Sequence, residues 1–247
     1  MKIEDVTFPS VGENRVELEG KLHLFEDGER HPAAIVCHPS SHGECDLDHP
    51  FVVKVCQFLN DIGVITLRFN FRGVGKSEGA LSRGLYESGD VRGALDILDE
   101  VGEVNKDALY VMGHSFGAAM AFKAALEDDR IQGAVASGLP IGRVDLPESL
   151  YIPYYTFDAE GLRTYKKPKL LIAGSHDDLC PVEQMTLLFH LLPEPKEIEV
   201  IQDADHFFRR VGVRGVNEEV LARHTETIKN VLERWLSAPV RGVHHDA

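Results

Sequence analysis

Ser115 lies at the centre of the pentapeptide Gly-His-Ser-Phe-Gly, residues 113–117. An apolar run, residues 108–112, precedes it, and a small-residue stretch typical of a helix follows. Strand, sharp turn and helix with a serine at the apex are typical of a nucleophile elbow, which holds the serine in a strained backbone conformation. Side chains at 113 and 117 would collide in such a turn. The sequence therefore predicts that Ser115 is a nucleophile, and that the N–H of Phe116 stabilises the developing oxyanion.

The pentapeptide alone is weak evidence for this chemistry. With 22 glycines in 247 residues, the pattern arises by chance in roughly one chain in ten of this composition. The alternative is a glycine-rich turn with an idle serine, so the rest of the chain has to supply a base and an acid.

An acidic pair follows a predicted strand late in the chain, in Gly-Ser-His-Asp-Asp. Asp177 lies three residues after Gly174 and four before a proline that can begin a helix. This is where a carboxylate that orients an imidazole is expected. We predict Asp177 for this role, with Asp178 and Asp205 as alternatives.

The predicted base is His206, which follows the last predicted strand in Asp-Ala-Asp-His-Phe-Phe. Its aromatic neighbours, Phe207 among them, can shield it from water. A structural role is the alternative for any one of the 12 histidines. The order Ser115, Asp177, His206 along the chain favours catalysis, because it matches one of the three common triad orders.

A second oxyanion donor is expected in His-Pro-Ser-Ser-His-Gly, residues 38–43, directly after the first buried strand. We place it at Ser40 or Ser41 and expect His38 to order the loop by hydrogen bonding. A metal cluster is the alternative, but its spacings match no common zinc site. Its ligands would be His38, His42, Cys45, Asp46, Asp48 and His49. We therefore predict no metal and no cofactor.

The segment Asn-Phe-Arg-Gly-Val-Gly-Lys-Ser, residues 70–77, superficially resembles a phosphate-binding P-loop. Asn70 stands where that motif requires its first glycine. Residues 83–86 intervene before the next predicted helix, so Lys76 does not open a helix that could hold phosphate. We expect the loop to brace the floor of an active site, with glycines at its turns.

Alternating strand and helix patterns predict a single α/β domain over residues 1–247 with a mostly parallel sheet and helices on both faces. The first two strands are expected to form an antiparallel edge pair. Predicted strands cover residues 6–8, 15–24, 33–37, 63–69, 108–112, 133–136, 169–173 and 197–201. Predicted helices cover residues 50–61, 87–101, 116–126, 181–191 and 217–236. The predicted acid, base and nucleophile all follow strands, at the edge where ligands bind.

Residues 139–167 are expected to form a short flap, since they are too few for a full cap domain. Tyr154 and Tyr155 belong to an aromatic set there that also includes Tyr151, Phe157 and Tyr165. They line a substrate pocket, pack the flap on the body or form a subunit contact; the sequence leaves these alternatives open. With Phe207, Tyr154 and Tyr155 are the predicted substrate-binding residues.

The amino-acid composition limits the classes of molecule that are expected to bind the protein. The 26 Lys and Arg against 40 Asp and Glu give a net charge of −14, which argues against nucleic acid and anionic membranes. The charged N-terminus does not resemble a signal peptide, and four scattered cysteines fit reduced thiols. We expect a cytoplasmic protein with a small-molecule ester as substrate; a homo-oligomer is neither required nor ruled out.

Four segments, Leu-Arg-Phe-Asn-Phe-Arg-Gly-Val-Gly-Lys-Ser-Glu-Gly, Gly-His-Ser-Phe-Gly, Ala-Gly-Ser-His-Asp-Asp and Asp-Ala-Asp-His-Phe-Phe, together resemble the α/β-hydrolases. More narrowly, they resemble small bacterial and archaeal members related to dienelactone hydrolases. The resemblance covers essentially the whole chain and implies an eight-stranded sheet and the same three catalytic residues. Dienelactone hydrolases use a cysteine nucleophile, which puts that particular activity in doubt for a chain with Ser115.

The function expected from these observations is a serine carboxylesterase for small to medium acyl esters. A thioesterase and a peptidase or amidase remain alternatives, because the leaving group is recognised by the pocket rather than by the triad. A non-catalytic binding module is the alternative from another class.

Overall fold

The computed structural model of the chain describes residues 1–39, 45–140, 159–209 and 218–237. The strands are β1 (Lys2–Pro9), β2 (Glu17–Leu24), β3 (His31–Cys37), β4 (Ile65–Phe69), β5 (Val104–His114), β6 (Ile131–Ser137), β7 (Lys169–Gly174) and β8 (Lys196–Ile201). The helices are α1 (Pro50–Asp61), α2 (Glu87–Glu100), α3 (Phe116–Glu127), α4 (Ala159–Thr164), α5 (Val182–Leu191) and α6 (Glu218–Ser237).

The strands form one eight-stranded sheet in the order β1-β2-β4-β3-β5-β6-β7-β8. β1 pairs antiparallel with β2, and β2 pairs antiparallel with β4. All later pairs are parallel. The predicted α/β-hydrolase fold with a mostly parallel eight-stranded sheet is confirmed, including the antiparallel edge pair.

The apolar run of β3 is continuous because both faces of this strand are buried. Ala33, Ile35 and Cys37 pack in the core on the side of α2 and α3. Ala34 and Val36 pack in the core on the side of α1 and α6. A strand covered by helices on both faces has to be apolar at every position, whereas a strand with one wet face alternates.

β1 and β5 each begin four residues before the predicted start, whereas the other predicted elements begin and end within two residues of their observed bounds. β5 begins at Val104, ahead of the apolar run, because Val104 pairs with His31 of β3. The short helix α4 has no counterpart among the predicted helices. At β1 and β5, pairing with a neighbouring strand extends the strand beyond its apolar run.

A buried ion pair holds the loop after β4. Arg72 binds the carboxylate of Asp90 on α2 through its side chain, at 2.6 Å from Nη2, and through its backbone N–H. Both residues are buried, and burial raises the pKa of Asp90 while Arg72 opposes that shift. Since neither charge can be left alone at low cost, the pair fixes the loop to α2.

The glycines of this loop serve turns, as predicted. Gly73 and Gly75 have φ of +75° and +58°, which side-chain-bearing residues rarely adopt. Lys76 donates its backbone N–H to the Glu19 carboxylate, and the next helix begins only at Glu87. An acid at the loop and no helix start beside it disfavour phosphate binding.

Most of the predicted flap, residues 141–158, lies outside the described residues, and Tyr151, Tyr154, Tyr155 and Phe157 lie there too. Tyr165 is described: it is buried, and its ring contacts Phe122 of α3 at 6.2 Å. This member of the aromatic set therefore packs on the body of the domain.

All four cysteines are free thiols, as the scattered spacing predicts. Among the described helices, none has both the length and the apolarity to cross a membrane.

Candidate active site

Ser115 occupies the turn between β5 and α3 with φ +53° and ψ −120°. A non-glycine residue with these angles is strained, and the surrounding backbone holds it there. Its N–H donates to the Ser137 carbonyl at the end of β6 (2.9 Å), and its carbonyl accepts from Ala119 in the first turn of α3. The half-buried side chain therefore lies at the N-terminus of a helix, in the predicted strand–turn–helix context.

The two flanking glycines are required by close backbone contacts. A Cβ on Gly113 would lie 2.2 Å from the backbone carbon of Gly117. A Cβ on Gly117 would lie 2.5 Å from the carbonyl oxygens of Cys37 and His38. The closest neighbours of Gly117 are thus at the end of β3, which brings the start of the predicted oxyanion loop against the elbow.

The structure brings Asp177 and His206 together. Nδ1 of His206 donates to Oδ2 of Asp177 at 2.8 Å, and the two residues are 4% and 6% exposed, the aspartate being the more buried. The other carboxylate oxygen accepts the backbone N–H groups of Leu179 and Cys180, at 2.9 and 2.7 Å. With the proton fixed on Nδ1 by the carboxylate, Nε2 of His206 is left as the acceptor that a base needs.

The alternative acids are placed elsewhere. Asp178 is exposed, one residue beyond the carboxylate that contacts His206. Asp205 binds its own loop: one oxygen accepts the N–H groups of Phe207 and Arg209, and the other pairs with Nε of Arg209 at 3.0 Å. Of the three predicted acids, Asp177 is the one in contact with the imidazole.

The ring of His206 lies against Gly138 and Phe207. A Cβ on Gly138 would be 3.0 Å from Cε1 of His206, so only glycine leaves room for the ring. Phe207 is half-buried and packs edge-on to His206 with ring centroids 5.0 Å apart. Phe207 also lines an apolar groove of about 490 Å³ that Phe51 and Phe58 of α1 share.

The described part of the oxyanion loop ends at Pro39, so Ser40 and Ser41 lie outside the described residues. His38 is buried and bonds to backbone groups on both sides of its ring. Its Nε2 accepts the N–H of Phe71, so Nδ1 carries the proton and donates to the Pro39 carbonyl at 2.6 Å. Phe71 in turn packs edge-on to Phe116, so the loop after β4 supports the residue that follows Ser115.

Two residues of the alternative metal cluster, Asp48 and His49, have partners within the protein. Asp48 pairs with Lys21 and Arg68, both at 3.0 Å. His49 accepts the N–H of Phe51 and so caps α1. Within the described ranges, the set with ligand atoms close enough for a metal is Asp177, Cys180 and His206, all buried.

Sequence reasoning missed His114, which lies beside His206 with ring centroids 4.8 Å apart. It also missed Ser137, whose carbonyl binds the elbow. His114 occupies a variable position of the glycine–serine motif, so its type carries no signal until its neighbours are known.

Buried neutral histidines predict a loss of stability in mild acid. Burial lowers the pKa of His38 to about 4 and holds the pKa of His114 well below its usual value. Below pH 6.5 the unfolded chain binds protons at these sites and the folded chain does not, so stability falls as the pH falls. From pH 7.5 to 5.5 we expect a loss of about 1 kcal/mol for each residue, measured by urea unfolding.

His38→Gln should reduce this pH dependence, whereas His190→Gln, at an exposed position on α5, should leave it unchanged. Wild-type protein that is equally stable at both pH values would contradict the expectation.

Comparison with known proteins places this geometry in a family. A model of the α/β-hydrolase domain matches residues 35–233. An uncharacterised protein of Rickettsia prowazekii (strain Madrid E) is 28% identical over 183 residues, 72% of each chain. A putative α/β-hydrolase from Agrobacterium tumefaciens shares the fold with a TM-score of 0.76 at 23% identity, covering 96% of this chain and 98% of its own. A Pyrococcus furiosus esterase has a TM-score of 0.75 at 25% identity, and the match covers 97% of this chain and 93% of the esterase chain.

The family model spans the sheet from β3 to β8, the elbow, and the Asp177 and His206 loops. The narrower resemblance to relatives of dienelactone hydrolases stays a prediction. The chain belongs to the α/β-hydrolase domain family.

Proposed function

We propose that the protein is a serine-dependent carboxylesterase that hydrolyses small to medium acyl esters through an acyl-enzyme. The observation that carries the proposal is the buried Asp177–His206 hydrogen bond of 2.8 Å, at the same sheet edge as the strained elbow of Ser115. The name of the Pyrococcus furiosus relative, an esterase, also supports it.

Each side chain has a role that follows from its charge. Neutral His206 takes the proton of Ser115 as Oγ attacks the ester carbonyl, and later protonates the alcohol that leaves. Asp177 holds the tautomer and stabilises the imidazolium without becoming protonated itself. Water then repeats the cycle on the acyl-enzyme and releases the acid.

The tetrahedral oxyanion requires donors that are already in place. Phe116 is the first residue of α3, so its backbone N–H lies at the helix N-terminus, where the helix dipole favours negative charge. The second donor is proposed at Ser40 or Ser41, because Gly117 packs directly on the carbonyls of Cys37 and His38 that precede them. One such donor contributes about 3 kcal/mol to transition-state stabilisation.

The proposed substrate is a small-molecule ester, with Phe207 beside the base and Tyr154 and Tyr155 as further candidates for the pocket. Phe207 faces both His206 and the apolar groove, so it can contact an acyl or alcohol group near the reacting carbonyl. No cofactor is needed for this chemistry, because the nucleophile, base and acid are all side chains of the protein.

The test is hydrolysis by the purified protein of p-nitrophenyl acetate and butyrate, of a thioester and of a peptide, together with labelling by a fluorophosphonate. We expect ester turnover and stoichiometric labelling, because the probe reacts only with an activated serine. If the protein is labelled and hydrolyses only the thioester or the peptide, the cleaved bond is not that of an ester, but the serine mechanism stands. A protein that shows neither labelling nor turnover would reject the proposal and favour a non-catalytic binding module.

A further inference from the structure

His114, the residue before the proposed nucleophile, is fully buried in a cluster of aromatic rings. The centroid of its ring lies 4.8 Å from that of His206 and 4.9 Å from that of Phe51. Phe207 and Phe208 lie 5.2 and 5.7 Å away. The ring thus contacts both residues that follow His206 and a residue of α1, so it forms the inner wall of the loop that carries the base.

The ring of His114 is anchored at one nitrogen. Nδ1 lies 3.0 Å from Oγ of Ser137, the residue whose carbonyl accepts the N–H of Ser115. Nε2 is buried and has no hydrogen-bond partner among the described residues. The same pair of residues therefore links the elbow, the end of β6 and the wall behind the base.

His206 and His114 also meet at Gly138. A Cβ at this position would lie 3.0 Å from Cε1 of His206 and 3.1 Å from Cε1 of His114. The two rings therefore crowd the same side of Gly138.

The ring stays uncharged when the base is charged. Burial is the main cause that holds the pKa of His114 well below its usual value, and the neighbouring His206 and His49 add to it. The carboxylate of Asp177 is bound to His206. An imidazolium on His206 therefore faces an aromatic wall and not a second cation.

We propose that His114 is a positioning residue, whose ring holds His206 in line with Asp177 and Ser115 while the proton is transferred. The inference rests on the proposed serine-hydrolase function. A ring is what the role requires; the hydrogen bond to Ser137 sets the angle of the ring.

The test distinguishes the contribution of the His114 ring from that of its hydrogen bond to Ser137. His114→Phe keeps an aromatic ring, somewhat larger than imidazole, and loses the hydrogen bond, whereas His114→Asn keeps a polar partner for Ser137 and has no ring. We expect kcat for p-nitrophenyl butyrate to fall less than about 10-fold in the Phe variant and about 100-fold in the Asn variant, with KM within about 3-fold of wild type. Leu98→Ala, in the core on α2, is the control for a general loss of stability.

Two measurements do not change with a general loss of stability. They are the low-field proton resonance of His206 Nδ1–H and the pH profile of kcat/KM. Both should shift in the Asn variant and stay near wild type in the Phe and Leu98→Ala variants. An Asn variant with wild-type kcat, or with lowered kcat but an unchanged resonance and pH profile, would overturn the proposal.

The resonance needs no turnover, so it tests the role of His114 in placing the base even if the wild-type protein is not an esterase. A wild-type protein that shows the resonance but no fluorophosphonate labelling would reject the proposed function alone. An Asn variant that unfolds is replaced by His114→Gln, which fills more of the cavity and carries the same expectation.

Discussion

Ser115→Ala is expected to lower kcat for p-nitrophenyl butyrate by about five to six orders of magnitude, to the level that the oxyanion donors and binding alone provide. Alanine keeps the Cβ and the backbone at φ +53°, so the elbow keeps its geometry and only Oγ is lost. The measurement is steady-state hydrolysis beside fluorophosphonate labelling of the same preparations. Labelling should disappear with the activity.

The matched control is Ser237→Ala, at an exposed serine at the end of α6. It should retain full activity and full labelling. If Ser115→Ala hydrolyses the esters as fast as wild type does, another group is the nucleophile and the elbow assignment is wrong.

Asp177→Asn is expected to lower kcat by about four orders of magnitude with little change in the fold. An amide in this position can donate to Nδ1 of His206, which favours the tautomer whose Nε2 carries the proton and so cannot accept from Ser115. The loss should appear in kcat for acetate and butyrate alike, since the residue acts on the base and not on the acyl group.

Asp178→Asn and Asp205→Asn are the controls from the same two loops. The Asp178 carboxylate is exposed. In the Asp205→Asn variant, the amide oxygen could still accept the N–H groups that the carboxylate accepts in this loop. Each variant should therefore remain within about 10-fold of wild type. A loss of orders of magnitude in either control, with Asp177→Asn near wild type, would transfer the orienting role to that residue.

Much of the fold was predictable because its signals are local. The buried strands appear as continuous apolar runs, and α1 begins and ends where the sequence predicts it, at Pro50 and Asp61. The elbow is local in part: Gly113 is required by its contact with Gly117 within one turn, whereas Gly117 is required by the carbonyls of Cys37 and His38, which are distant in the chain.

The order of the strands was not predictable in the same way. β4 lies between β2 and β3 in the sheet, and β2 runs antiparallel to it. Apolar runs report burial but not the neighbour that causes it, so the pattern predicts strands and leaves their arrangement to tertiary packing.

The sequence by itself determined the α/β class, the elbow and the order of the proposed nucleophile, acid and base along the chain. Only the tertiary structure decided that Asp177 contacts His206, because adjacent residues in a turn point in different directions and their spacing does not show which one faces the imidazole. It alone placed His114 against His206, since the two rings are 92 positions apart in the chain and meet only when β5 and the loop after β8 come together at one edge of the sheet.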